Sequence, residues 1–319
     1  MKSTPLLIPL LLVTALAQQH DVTITPIPGI IAANAHWTLA WQGTDNADGI
    51  IASSDGGLLF AQEQPSHVSK LDKHDKVSVY LEDTHGGGAL TIDSKGRLFT
   101  VARTCTDPGK NPAACTEPTH LAELKPERKT LADNVDGKSL GRLNDLIADK
   151  KGGFYFNGAA LYYLNAAGKV TTLGENLRTN GITLRPDEKT LYVTNGASLV
   201  AFDVQPDGTV RNQRDFAKLE AGGVGDGMSI DSTGRIYVTS APGVQVFSPD
   251  GKYLGVIPAP RAVISMAFSG PGRKTLYVVG SGALGPDGKE FETPKGVRNN
   301  AKTIYKIDLL AQGFKGRVK

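Results

Sequence analysis

Residues 177–193, LRTNGITLRPDEKTLYV, decide the fold of this chain. They begin with the pair Asn180-Gly181, continue with alternating apolar residues, turn at Pro186-Asp187 and end in a second apolar run. The turn and the aromatic residue that follows it occur six times, at Phe60, Phe99, Tyr155, Tyr192, Tyr237 and Tyr277. Successive aromatic markers are 39, 56, 37, 45 and 40 residues apart. Six copies at a period of about 40–45 residues are typical of a β-propeller.

We therefore predict an all-β protein, a six-bladed β-propeller with four-stranded antiparallel blades. Its 37 glycines and 40% hydrophobic residues fit a turn-rich chain. Residues 18–319 are predicted to form a single domain, because each blade adds its own slice of core. Two apolar runs, 21–31 and 36–41, are strand-like, and we expect this terminal region to close the ring on the last blade. The longest step contains an insertion around residues 105–118.

Residues 1–17 have the pattern of an export signal. Lys2 is the basic region, residues 6–13 are the apolar core, and Ala15-Leu16-Ala17 is a small-residue cleavage site. The apolar stretch is too short to span a bilayer. We expect a periplasmic or extracellular protein with no membrane attachment after cleavage. An uncleaved N-terminal anchor is the alternative.

Two cysteines, Cys105 and Cys115, lie in the insertion. In an exported protein they meet an oxidising compartment, so a disulfide between them is expected. A redox pair and a pair of metal ligands stay open as alternatives.

The charged residues are nearly balanced, with 35 basic and 32 acidic residues and a formal net charge of +3. The basic residues are scattered, whereas a nucleic-acid-binding face would cluster them with aromatic residues. We therefore expect a small-molecule partner and no nucleic acid. The oligomeric state is not indicated by the sequence.

The position 11 or 12 residues before each aromatic marker, here called the blade head, carries a repeated polar pattern. Four heads bear an oxygen-containing side chain: Asp48, Asn144, Asn180 and Asp226. The second blade has Gly87-Gly88 there, and the sixth has Ile264-Ser265. Equivalent positions of different blades lie around one axis, so the four side chains should converge at one end of the central channel. The alternative is that Asn-Gly and Asp-Gly are ordinary turn formers.

Two carboxylates and two amides suit a hard divalent cation. Calcium accepts six to eight oxygen ligands, including amide carbonyls, and is our first choice. Zinc prefers nitrogen and sulfur, but Zn²⁺, Mg²⁺ and Mn²⁺ stay possible. Such a cation can polarise an ester carbonyl and acidify a bound water, and Asp226 is the candidate catalytic base.

Neighbouring residues could complete a substrate site. Arg142 precedes Asn144 by two residues, points to the same side of an extended segment, and could bind an anionic or hydroxylated substrate. Asp145 could support Asn144 from behind. Arg142 could instead be a surface arginine, and His85, near the second head, is interpreted as a surface or core histidine. No H-E-x-x-H motif is present, so zincin chemistry has no support.

The chain resembles the SMP-30/gluconolactonase/LRE-like family over roughly residues 46–310. The resemblance is carried by Arg142-Leu143-Asn144-Asp145, by Asn180-Gly181-Ile182 with residues 186–193, and by Asp226-Gly227-Met228. It implies a calcium or similar ion held by a first-blade carboxylate with Asn144, Asn180 and Asp226. It also implies substrate contacts from Arg142 and Asn144, and Asp226 as base. Members of this family hydrolyse sugar lactones, and relatives hydrolyse organophosphates.

The sequence departs from the family pattern at several heads. Asp48-Gly49-Ile50 replaces Glu-Gly-Pro, Thr179 and Gly225 replace prolines, and residues 86–88 are all glycine. The loop at residues 157–160, which carries a substrate-contacting acid in some members, is short. We predict an exported metal-dependent hydrolase that opens a sugar lactone or related ester. A phosphotriesterase-like hydrolase and a non-catalytic binding propeller with a structural cation are the alternatives.

Overall fold

The computed structural model describes residues 22–103, 118–293 and 297–316. These residues contain six four-stranded antiparallel sheets, which form the blades of a six-bladed β-propeller. The predicted fold class is confirmed. Throughout the described ranges there is no α-helix, only a three-residue 3-10 helix at Pro271–Arg273.

Two predicted features fall outside the described residues. They are the export signal at residues 1–17 and the pairing of Cys105 with Cys115, and both stay predictions. Within the described ranges, no helix has the length and apolarity needed to cross a membrane.

Each blade takes its strands from one stretch of the chain, apart from the last. The first strand of the chain is β1 (Thr38–Gln42). Blade one consists of β2 (Ile50–Ala52), β3 (Leu58–Gln62), β4 (His67–Leu71) and β5 (Val77–Leu81). Blade two consists of β6 (Gly87–Ile92), β7 (Leu98–Ala102), β8 (His120–Lys125) and β9 (Lys129–Ala132). A small hairpin of β10 (Asn134–Val135) and β11 (Lys138–Ser139) follows.

The second half of the propeller repeats this order. Blade three consists of β12 (Leu146–Ala148), β13 (Phe154–Asn157), β14 (Leu161–Leu164) and β15 (Val170–Leu173). Blade four consists of β16 (Thr179–Leu184), β17 (Thr190–Asn195), β18 (Ser198–Val204) and β19 (Val210–Lys218). Blade five consists of β20 (Met228–Ile230), β21 (Ile236–Ser240), β22 (Gly243–Phe247) and β23 (Tyr253–Pro258). Blade six consists of β24 (Val263–Ser269), β25 (Thr275–Ser281), β26 (Ala301–Asp308) and β1.

The N-terminal strand closes the ring, as the sequence predicts. β1 pairs antiparallel with β26, for example through Leu39 and Tyr305, and becomes the outermost strand of blade six. The run at residues 21–31 was expected to be strand-like, and this is wrong for residues 22–31. Pro26 and Pro28 lack the N–H groups a ladder needs, and the described segment makes only one isolated bridge within itself.

The six aromatic markers all lie in the second strand of their blades and are at most 4% exposed. They are buried because the inner strands of each blade pack on both faces against neighbouring blades. Strand β17, for instance, is buried over five of its six residues, whereas the outer strand β19 is mostly exposed. Blades three and four share one such core, in which Tyr155 packs with Ile182 and Leu184.

The first strand of each blade faces the axis. Neighbouring first strands contact one another in a closed circle, in the order β2, β6, β12, β16, β20, β24 and back to β2. The turn after such a strand is closed by an aspartate whose Oδ1 accepts two backbone N–H groups, as at Asp93, Asp149 and Asp231. These carboxylates stabilise turns at the end of the strand opposite the heads.

Candidate functional site

The blade heads meet at one end of the channel. Asp48, Asn144 and Asp226 lie just before the first strands of their blades, and Asn180 lies within β16. All four line a small cavity of about 30 Å³ and keep part of their surface open to it. The structure therefore brings together the four side chains that the repeat register predicts to converge.

The glycines that follow these side chains are not there to form turns. None of Gly49, Gly181 and Gly227 has a positive φ. A Cβ added at Gly181 would lie 1.9 Å from the carbonyl oxygen of Asp226, and one at Gly49 would lie 2.5 Å from the Cα of Ala89. Each glycine lets the backbone of the next blade approach closely. The turn-former interpretation is therefore wrong for these pairs.

The two asparagines of the cavity are held by their neighbours. Asn144 Nδ2 donates to Asn180 Oδ1, and the Asn180 side chain is hydrogen-bonded to the carboxylate of Asp226. Asn157, which is fully buried, donates from Nδ2 to the carbonyl oxygen of Asn180 at 2.5 Å. Its Oδ1 accepts the amide of Asp145 at 3.0 Å. Asn157 thus fixes both heads, a role the sequence analysis missed.

Asp145 joins blade three to blade four behind Asn144. Its Oδ1 accepts the amide of Leu146 at 2.8 Å, and its Oδ2 accepts the amide of Ile182 at 2.9 Å. Both carboxylate oxygens are therefore engaged with the backbone. Asp145 therefore lies between the two heads, and its supporting role toward the site stays a prediction.

Arg103, one residue after β7, is the largest fully buried side chain among the described residues and was not predicted as a site residue. Its Nη1 donates to Asp48 Oδ2 and, at 3.0 Å, to Glu63 Oε2. Its Nη2 donates at 2.9 Å to both the carbonyl and the side-chain oxygen of Asn144, and its Nε donates at 2.8 Å to the Leu143 carbonyl. One buried guanidinium thus ties two of the four heads together.

The glycine at the second blade head makes room for this arginine. A Cβ at Gly88 would lie 2.1 Å from Cζ of Arg103. Any side chain at that position would displace the guanidinium. The run of glycines at residues 86–88, noted above only as a departure, was the sequence signal for this buried group.

Glu63 lies one residue after β3 and connects Arg103 to Arg142. Its side chain is fully buried, and Arg142 Nη2 donates to both of its carboxylate oxygens, at 3.1 and 3.3 Å. Burial raises the pKa of Glu63, and the two guanidinium groups act against that rise. For Arg103, burial disfavours the charged form, but the carboxylates of Asp48 and Glu63 outweigh it and raise the pKa.

His85 does not line the cavity. Its Nε2 is 2.7 Å from Nη1 of Arg128, and its ring is edge-on to that of His120. This agrees with the prediction of a surface or core histidine.

A comparison with known families identifies the chain. The sequence profile described as the SMP-30/gluconolactonase/LRE-like region matches residues 84–282, more than half of the chain. The chain belongs to this family. The matched region includes three of the four oxygen-bearing heads, and the resemblance read from the motifs is confirmed.

Several relatives are similar along two thirds or more of their length. A gluconolactonase of Zymomonas mobilis is 23% identical over 302 residues, covering 81% of this chain and 79% of the relative. The pentonolactonase XacC of Haloferax volcanii is 30% identical over 202 residues, covering 59% and 68%. Regucalcin of Xenopus laevis is 31% identical over 281 residues, covering 82% and 89%.

Solved structures share the fold. A gluconolactonase from Xanthomonas campestris superposes with a TM-score of 0.69 at 21% identity, covering 91% of this chain and 97% of that one. The calcium-binding protein regucalcin from Agrobacterium tumefaciens gives a TM-score of 0.63 at 18% identity, covering 86% and 96%. At these identities the comparison shows the propeller architecture.

The site has more carboxylates than guanidinium groups, so a divalent cation would balance its charge. When ionised, the carboxylates of Asp48, Glu63, Asp145 and Asp226 outnumber the guanidinium groups of Arg103 and Arg142 by two negative charges. Burial, together with the carboxylates of Asp48 and Asp145, raises the pKa of Asp226 from 3.8 to about 8. A cation between Asp48 and Asp226 would relieve this repulsion. The donor set fits a hard ion in chemistry and in charge.

The same site has few carboxylates for a metal centre. In the described part of the chain, no group of three or more His, Cys, Asp or Glu side chains is placed to hold a metal ion. The candidate ligands include only two carboxylates, so the amide oxygens of Asn144 and Asn180 would have to complete the set. Calcium tolerates such ligands better than zinc does.

Proposed function

We propose that the protein is an exported, metal-dependent lactonase that opens a sugar lactone or a related ester. Family membership and the named lactonase relatives support a hydrolase acting on lactones. The observation that carries the metal-dependent part is the cavity lined by four oxygen-bearing heads, in which burial and neighbouring carboxylates raise the pKa of Asp226. Export rests on the signal-like pattern of residues 1–17.

Asp48, Asn144, Asn180 and Asp226 would hold the ion, with calcium as first choice. When bound, such an ion supplies Lewis acidity toward a lactone carbonyl and toward a water. Asp226, open to the cavity and hydrogen-bonded to Asn180, would accept the proton of the attacking water. Arg142 and Asn144 would orient the hydroxyl groups of the substrate.

Substrate profiling tests this proposal. We expect the wild-type protein to hydrolyse sugar or aliphatic lactones, and Asn180→Ala to lose turnover because it removes an oxygen ligand and the partner of Asp226. Asn34→Ala, at an exposed asparagine outside the cavity, should behave as wild type. Rates can be followed as acid release by a pH indicator.

Three other outcomes would contradict this proposal. Hydrolysis of phosphotriesters without hydrolysis of lactones would support the phosphotriesterase hypothesis instead. If the protein hydrolyses neither lactones nor phosphotriesters, the hypothesis of a non-catalytic binding propeller is favoured. If Asn180→Ala hydrolyses lactones at the wild-type rate, the cavity is not the active site.

A further inference from the structure

Glu63 is a buried carboxylate that the proposed reaction does not use. It is clamped between two arginines, with Arg103 Nη1 at 3.0 Å and Arg142 Nη2 at 3.1 Å from its Oε2. A buried carboxylate without a cation is costly, and two charge-assisted partners compensate that cost. The same contacts fix where the Arg142 guanidinium lies.

Only one member of this trio can meet a substrate. The side chain of Arg142 is 25% exposed, whereas those of Arg103 and Glu63 are 2% and 0% exposed. Any charge that Glu63 exerts on a ligand must therefore act through Arg142.

The pairing changes what Arg142 can recognise. A guanidinium without an anionic partner favours carboxylates and phosphates, which it binds with two parallel hydrogen bonds. Arg142 already gives one of its terminal nitrogens to Glu63. A second anion at Arg142 would add a negative charge close to a site that already holds four carboxylates, and like charges at short range are unfavourable. Hydroxyl groups accept hydrogen bonds from the same guanidinium without that penalty.

We propose that Glu63 is a positioning residue that sets the charge selectivity of the site: it balances Arg142 so that the site takes an uncharged, hydroxylated lactone and rejects an anionic one. This inference rests on the proposed function. The sequence left open whether Arg142 binds an anionic or a hydroxylated substrate, and this inference selects the hydroxylated one.

Two lactones that differ in one group test it. The γ-lactones of gluconic acid and glucaric acid share a ring and differ where a CH₂OH is replaced by a carboxylate. We expect the wild type to prefer the neutral lactone. Glu63→Gln should raise the ratio of kcat/KM for the carboxylated over the neutral lactone by about tenfold or more, which corresponds to roughly 1.4 kcal/mol. The change should appear mainly in KM.

Three further variants separate charge from structure. Glu63→Asp keeps the charge and should keep the wild-type preference. Adding Arg142→Gln to Glu63→Gln should abolish the gain, because the freed guanidinium is its source. Glu123→Gln removes another largely buried carboxylate paired with an arginine, Arg97, at the opposite end of blade two. It should leave the ratio unchanged.

Calorimetric binding of both lactones keeps the inference separate from the enzyme proposal. If no lactone is hydrolysed but Glu63→Gln still gains affinity for the carboxylated one, the charge-selectivity role stands and the lactonase proposal falls. A folded Glu63→Gln with wild-type selectivity in both binding and turnover overturns the role. A wild-type preference for the carboxylated lactone also overturns it.

Discussion

Asp226→Asn should lower kcat/KM for lactone hydrolysis by about 10²–10⁴-fold, the usual loss when a general base is removed. The substitution keeps the size of the side chain and a hydrogen-bonding partner for Asn180. It removes the negative oxygen that faces the cavity and the group that would accept a proton. Steady-state rates with the best lactone of the panel measure the effect.

The pH dependence of stability tests whether Asp226 is buried beside like charges. In the ion-free protein the pKa of Asp226 is raised from 3.8 to about 8, so the folded state binds a proton more tightly than the unfolded state. Stability from this group is therefore present at low pH and lost as the pH rises toward 8. With chelator present, the melting temperature of wild type should fall over this range more steeply than that of Asp226→Asn.

A second aspartate serves as the matched control. Asp231 is fully buried, but it binds Arg235 and the amides of its turn at the far end of blade five. Asp231→Asn should lower the melting temperature and leave kcat/KM within a few-fold of wild type. Equal losses of kcat/KM in the two variants would mean that Asp226 acts on the fold and not on the reaction.

Arg103→Met should lower the free energy of unfolding by about 3–5 kcal/mol, because breaking a buried ion pair leaves an uncompensated charge. Here the loss of one guanidinium would take a charged partner from the carboxylates of Asp48 and Glu63, leave Glu63 with Arg142 alone, and release the oxygens of Asn144. Urea denaturation with chelator present measures the change without a contribution from bound ions.

Arg128→Met is the control for arginine removal as such. Arg128 donates to Asp83 at 2.9 Å, but both side chains are exposed, so the change should lie within about 1 kcal/mol. If Arg103→Met costs as little as Arg128→Met, the buried network does not hold the channel end together.

The architecture could be predicted because it repeats. The spacing of Phe60, Phe99 and the four later aromatic markers fixes the number of blades. Each marker lies in a second strand, so counting back along one hairpin reaches the channel end. Local register alone was therefore enough to bring Asp48, Asn144, Asn180 and Asp226 into one cavity.

The surroundings of these heads could not be predicted in the same way. Arg103 reaches the cavity from the end of a second strand, and its partners lie up to 55 residues away in the chain. Glu63 is 40 residues from Arg103 and 79 from Arg142. Such contacts depend on how neighbouring blades pack, which no repeat period encodes. Only the glycine run at residues 86–88 marked the space that the guanidinium fills.

The central claim is that four channel oxygens hold a divalent cation that lactone opening requires. Its most direct test is lactone hydrolysis by the wild-type protein before and after chelation, with Ca²⁺, Mg²⁺, Mn²⁺ and Zn²⁺ added back one at a time. We predict that activity disappears with chelator and returns with one of these ions, with Ca²⁺ as the first candidate. Lactone hydrolysis that continues unchanged in the chelated protein would contradict the claim.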